Sequence, residues 1–207
     1  MPLIAGLVYD PGSTGGCTIV EADRDGKRIR EYVGIAGTST NCAGGITPWD
    51  TWLTCEETED KAGSGGRTKD HGYVFEVDPF DREANHDPLP IKALGRFVHE
   101  AAAVDPENGD VYLTEDAATP NGLLYRWKAP KTFTPRRGSL RALGATDGVL
   151  AAARCVDASG TFVDDLSQAT DIGTTYRVTW MPVPDRDAAA FSTRKQFGAG
   201  QVTRGHK

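Results

Sequence analysis

The sequence predicts an all-β protein built as an incomplete β-propeller. Three observations carry that prediction: a turn-rich composition, short runs of β-forming residues bounded by turn signals, and an internal repeat of a strand pair. The 207 residues include 24 glycines and 12 prolines, and few apolar runs are long and periodic enough to build helices. A chain of this length can form one ordinary domain with a proper core.

Taken in order, residues 3–10 form a short apolar piece and residues 10–16 (DPGSTGG) a turn. Cys17 to Glu21 reads as a strand, Asp23-Arg24-Asp25-Gly26 as a hairpin turn, and Arg28 to Val33 as the returning strand. Asn41-Cys42-Ala43-Gly44-Gly45 follows. A glycine pair behind a thiol reads as a tight loop, because glycine opens backbone conformations closed to other residues. Thr51-Trp52-Leu53-Thr54 is a short strand of β-formers with Glu56-Glu57 at its end. Lys61 to Asp70 is a polar, glycine-rich loop, and Gly72 to Val77 is a strand that stops at Asp78-Pro79. Phe80 to Pro90 is a charged loop. Gly95 to Asp105 is a strand closing on the turn Pro106-Glu107-Asn108-Gly109, and Val111 to Thr114 and Gly122 to Trp127 are two more. Between Pro130 and Ser167 the pattern weakens, with a short helix expected around Gly148 to Cys155. Tyr176 to Val183 is a last strand, and Ala188 to Lys207 is a basic tail without an assigned element.

The repeat organises these pieces. Trp52-Leu53-Thr54 ending in Glu56-Glu57 is answered 60 residues on by Tyr112-Leu113-Thr114 ending in Glu115-Asp116. Gly72 to Val77 is answered 50 residues on by Gly122 to Trp127. Propeller blades repeat at ~40–50 residues in the named types. Blades turn equivalent strand ends toward one face, so carboxylates at those ends converge there. Only three to four such units fit in the chain, against ~4–8 blades in most propellers. The expectation is therefore a longer propeller of which residues 1–207 form part.

Charge and motifs narrow the function classes. A formal net charge of −6 and a pI near 5.2 weigh against nucleic acid or an anionic membrane as partner, and suit a protein that gathers cations. No apolar run is long enough to cross a bilayer, and Met1-Pro2-Leu3-Ile4-Ala5 shows no export signal. The four cysteines, Cys17, Cys42, Cys55 and Cys155, lack CxxC spacing, which sets aside zinc-ribbon and thioredoxin-like readings. Neither GxSxG nor GxxxxGK[ST] occurs.

Glu56, Glu57, Glu100, Glu115 and Asp116 form a set of strand-end carboxylates of the kind a hard cation such as Ca²⁺ requires. Each pair taken alone also fits a solvated turn. Cys42 offers a soft donor suited to iron, copper or zinc, or else fills a small buried space. His99 directly precedes Glu100, so on a strand the two point to opposite faces, and a hydrogen-bonding core role for the imidazole competes with a ligand role. Asn41 can offer a carboxamide oxygen to a cation or cap its turn. Arg96, Arg126, Lys69 and Lys207 can attract an anion or stand as solvated charges.

The run Asn41-Cys42-Ala43-Gly44-Gly45, Thr47-Pro48-Trp49, Trp52-Leu53-Thr54 and Glu56-Glu57 resembles the signature of the PhoX-type alkaline phosphatases. Further stretches agree in the family's order: Gly15-Gly16 with Thr18, His71 to Val77, Gly95-Arg96-Phe97 with His99-Glu100-Ala101, and Tyr112 to Asp116. The match is good over residues 15–130 and weak over 131–207. The resemblance implies a β-propeller phosphomonoesterase acting on small phosphorylated substrates, with iron and calcium ions clustered at the mouth of its channel. It makes Cys42 the thiolate ligand of Fe³⁺, and Glu56, Glu57, Glu100 and Asp116 ligands of iron or Ca²⁺. Asn41 and Lys207 are the candidates for contact with substrate. Two metal types would account for a thiol among hard carboxylates.

The expected protein is a monomer with no nucleic-acid or membrane partner. By the family pattern it is periplasmic or extracellular, although a cytoplasmic location stays open without an export signal. Two departures stand out: family members are longer and carry a twin-arginine signal, and their later acidic motif would start about where this sequence stops. The rival readings are a non-catalytic propeller that binds calcium or a protein, and a calcium-dependent propeller lactonase or esterase.

Overall fold

The computed structural model describes residues 6–169 and 171–206, and among these the fold is all-β, with only short 3-10 turns besides strands. Strands β1 (Gly15–Ala22) and β2 (Arg28–Thr38) make an antiparallel hairpin. Its turn is set by Asp23, whose Oδ1 accepts from the N–H groups of Asp25 (3.0 Å) and Lys27 (2.9 Å). Strands β3 (Asn41–Ile46), β4 (Trp52–Glu56) and β5 (Val74–Val77) form a three-stranded sheet. Strands β6 (His99–Val104), β7 (Val111–Glu115), β8 (Gly122–Lys128) and β9 (Val149–Val156) form a meander, extended by β10 (Phe162–Val163) and β11 (Arg177–Pro182) on β9 and by β12 (Arg204–His206) on β8. All named strand pairs are antiparallel. No helix among the described residues is long and apolar enough to cross a membrane.

Two segments adopt a different structure from the one their sequence predicts. Residues 41–46 are not a tight loop but strand β3, and the glycine pair serves close approach rather than a turn. A Cβ on Gly44 would stand 1.9 Å from the Leu53 carbonyl oxygen, and one on Gly45 only 1.7 Å from that of Ala102. Only glycine lets β3 lie this close to both β4 and β6. The helix expected around residues 148–155 is strand β9, whose Leu150-Ala151-Ala152-Ala153 run is buried. A short apolar run buried on both faces looks alike as helix or strand, and pairing with β8 and β11 decides it.

The larger core lies between the sheets, with Leu53, Val74, Phe97, Leu113, Tyr125 and Trp127 fully buried. A smaller one, Tyr9, Ile35, Tyr73, Phe75 and Val77, seats the β1–β2 hairpin. Arg96 is not a solvated charge. It is 3% exposed, and its guanidinium donates to the carbonyls of Glu59, His71, Asp187 and Ala188.

The repeat is realised in hydrogen bonds. Asn41 of β3 stands opposite Glu56 of β4, as His99 of β6 stands opposite Glu115 of β7. The Glu57 N–H donates to the Thr40 carbonyl (2.9 Å), and the Asp116 N–H to the Val98 carbonyl (3.1 Å). In both pairs the register slips straight afterwards, between Asn41 and Gly44 and between His99 and Ala102. Such irregularities re-aim side chains. Cys42 and Glu100 occupy the same place in the two units.

Candidate metal centre

The two units meet where Glu57 forms an isolated bridge with Val98, next to the start of β6. That bridge carries Glu57 of the first unit to Glu100 of the second, and Cys42 faces both. A ligand atom from each of Cys42, Glu57 and Glu100 lies within 4.8 Å of the others. The Cys42 thiol is exposed and donates to Glu100 Oε1 at 3.6 Å. Local desolvation first, then the Glu57 and Glu100 carboxylates, push this thiol above its ordinary range. Among the described residues no Lys, Arg or His lies within ion-pair distance of either carboxylate. Two carboxylates and a thiol brought together in this way fit a cation, and the set joins one soft donor to two hard ones.

Strand alternation separates Glu56 from its neighbour. Glu56 is fully buried. Its Oε1 accepts from the Ser39 N–H (2.8 Å) and meets His71 Nδ1 (2.7 Å), while its Oε2 accepts from the N–H groups of Gly72 (2.8 Å) and Tyr73 (3.1 Å). These four contacts occupy both oxygens. His71 Nε2 in turn meets Asp10 Oδ2 (3.0 Å). Burial opposes a charged imidazole, but hydrogen bonds and charge from Glu56 and Asp10 outweigh it and raise the His71 pKa.

In the second unit Glu115 is also fully buried, accepting from Tyr125 Oη (2.9 Å) and the Leu123 N–H (3.2 Å) and pairing with Arg194 (2.8 Å). Burial pushes its carboxyl up, and Arg194 pulls against that rise. Asp116 is half-buried and shares the strand edge through its N–H bond, outside the three-residue group. His99 is a core residue: its ring stacks on Phe97 at 3.6 Å, its Nε2 donates to the Gly95 carbonyl, and burial holds its pKa down to about 3. Asn41 is held at both ends of its amide, accepting from Thr38 Oγ1 (2.6 Å) and donating to Thr54 Oγ1 (2.8 Å). Lys207 lies outside the described residues. Sequence reasoning missed Asp10 and Arg194. Asp10 sits in an ordinary Asp-Pro-Gly turn and Arg194 in a basic tail, so neither has a local signal.

A family model for alkaline phosphatase PhoX matches residues 10–205. The chain belongs to the PhoX alkaline phosphatase family. Its fold is similar to that of Pseudomonas fluorescens PhoX solved in complex with vanadate, a transition state analogue, with a TM-score of 0.54 at 21% sequence identity. The alignment covers 92% of this chain and 41% of that one, so the chain spans less than half the length of that relative. A search of the curated proteins finds no match.

Proposed function

We propose that this chain supplies part of a PhoX-type centre that hydrolyses small phosphate monoesters. In this reading Cys42, Glu57, Glu100 and Asp116 hold iron and calcium ions. The sheet β3–β5 and the meander from β6 are neighbouring blades of a propeller, and the protein acts in the periplasm or outside the cell. Family membership supports the reading, and the observation that carries it is the convergence of Cys42, Glu57 and Glu100 from two sheets. Bound metal ions would supply positive charge against phosphate oxygens and an activated oxygen nucleophile.

The chain's own residues divide the work by chemistry. Cys42 offers a thiol that iron takes up as thiolate, and the carboxylates offer the hard oxygens that suit Ca²⁺. Glu56, with both oxygens occupied, is assigned to holding backbone rather than to the ions. Asn41, its amide spanning Thr38 and Thr54, is assigned to fixing the start of β3 beside Cys42.

The test is metal analysis with p-nitrophenyl phosphate hydrolysis on the wild type and Cys42→Ser. The wild type is expected to bind iron and calcium and to be coloured by its iron–thiolate bond. The variant should lose the colour, and its hydrolysis should fall by more than the ~10–100-fold that outer partners of a metal site cost. Hydrolysis left intact in Cys42→Ser would overturn the mechanism. Calcium bound without iron or turnover would favour a calcium-binding module.

A further inference from the structure

Arg194 ties together the two strand ends that carry the candidate ligands, and it belongs to neither. It lies in the 3-10 turn Thr193–Lys195 near the end of the chain, yet it is only 8% exposed. Its Nη1 donates to Glu115 Oε1 at 2.8 Å and to Glu59 Oε2 at 3.0 Å. Glu115 immediately precedes Asp116 at the end of β7, and Glu59 stands two residues past Glu57 beyond the end of β4. One guanidinium nitrogen thus spans the exits of two sheets. Neighbours reinforce it: Ser192 Oγ donates to Glu59 Oε2 (2.8 Å), and Thr193 Oγ1 bonds Tyr125 Oη (2.8 Å), which donates to Glu115.

Stability alone is a poor account of this cluster. Desolvation of a buried ion pair roughly cancels its Coulomb gain. Here Arg194 Nε and Glu59 Oε1 are also buried without a hydrogen-bond partner among the described residues, which adds cost. What the cluster does supply is geometry. We propose that Arg194 is a positioning residue for the metal centre, fixing the separation of Glu57 from Asp116 by gripping Glu59 and Glu115 together. The proposal rests on reading Glu57 and Asp116 as ligands. Ligands need placement within about 0.5 Å to bind well, and outer partners that hold them are worth ~10–100-fold in metal affinity.

The experiment titrates wild type, Arg194→Met, Arg194→Lys, Glu57→Gln and Asp116→Asn with Ca²⁺ by calorimetry, and measures urea unfolding of each in EDTA. Arg194→Met should weaken Ca²⁺ binding ~10–100-fold, with partial recovery in Arg194→Lys, whose ammonium keeps the charge but not the planar fork. A variant that loses stability in EDTA while its folded form binds Ca²⁺ as tightly as wild type would overturn the proposal. If Arg194→Met does not fold, the triple variant Arg194→Met, Glu59→Gln, Glu115→Gln removes the stranded charges. Weakened Ca²⁺ binding there supports positioning, and wild-type binding refutes it. If Glu57→Gln and Asp116→Asn leave Ca²⁺ binding unchanged, the ligand reading falls and this proposal with it. If they abolish binding and Arg194→Met does not weaken it, only the positioning role falls.

Discussion

The first unit, β3 to β5, and the second, β6 to β8, share one backbone scheme and differ in how they are filled. Each ends a strand with two adjacent carboxylates, buries the inner one, and anchors the outer by its N–H to the residue before the preceding strand. Each inner carboxylate accepts from the N–H groups that lead the next strand: Gly72 and Tyr73 for Glu56, Leu123 for Glu115. The cationic partner differs. Glu56 takes His71, 15 residues away, and Glu115 takes Arg194, 79 residues away. The bulge position also differs, holding Cys42 in one unit and Glu100 in the other. In both units the inner carboxylate serves the fold, which leaves the outer edge free to carry chemistry.

The largest expected effect separates the two carboxylates of the first unit. Glu57→Gln should lower Ca²⁺ affinity more than ~100-fold, beyond what outer partners cost, with a small change in urea midpoint. Glu56→Gln should do the reverse, costing about 3–5 kcal/mol by unbalancing a buried charge network while the folded form still binds Ca²⁺. Equal effects of the two changes on Ca²⁺ binding would break the division. Next comes the contact between the units. Gly45→Ala places a Cβ against the Ala102 carbonyl oxygen and should destabilise by roughly 1–3 kcal/mol in urea unfolding. A neutral result would mean that β3 and β6 are not so closely held.

The smallest effect concerns the local cation. Burial opposes charge on Asp10, but Thr68, Gly12, His71 and Lys69 outweigh it and hold its carboxyl well below the usual range. The raised pKa of His71 makes its contribution complete below about pH 6.5 and lost as pH rises through the folded value. The lowered pKa of Asp10 makes its contribution complete above about pH 3.9 and lost as pH falls through the folded value. Stability should therefore peak between these limits. Urea midpoints across pH 4–9 should fall on the alkaline side, and His71→Gln should flatten that fall. A wild-type midpoint constant from pH 6 to 9 would remove the charged imidazole from the account.

Most strands were legible because their signals are local. β-branched and aromatic runs bounded by Asp, Asn, Pro and Gly turns mark β1, β5, β7, β8 and β11 without reference to any partner. The pairing of Glu56-Glu57 with Glu115-Asp116 was legible as well, since a repeated unit leaves a repeated pattern. By itself the sequence determined an all-β chain with recurring acidic strand ends, because turn chemistry and β-propensity act between neighbours. Only the tertiary structure decided that 41–46 is a strand, that 149–156 is not a helix, and that Glu56 turns inward while Glu57 meets Cys42 and Glu100. Those outcomes depend on backbone approach, on which edge finds a partner, and on cations such as Arg194 that arrive from far along the chain, and no local pattern encodes a distant contact.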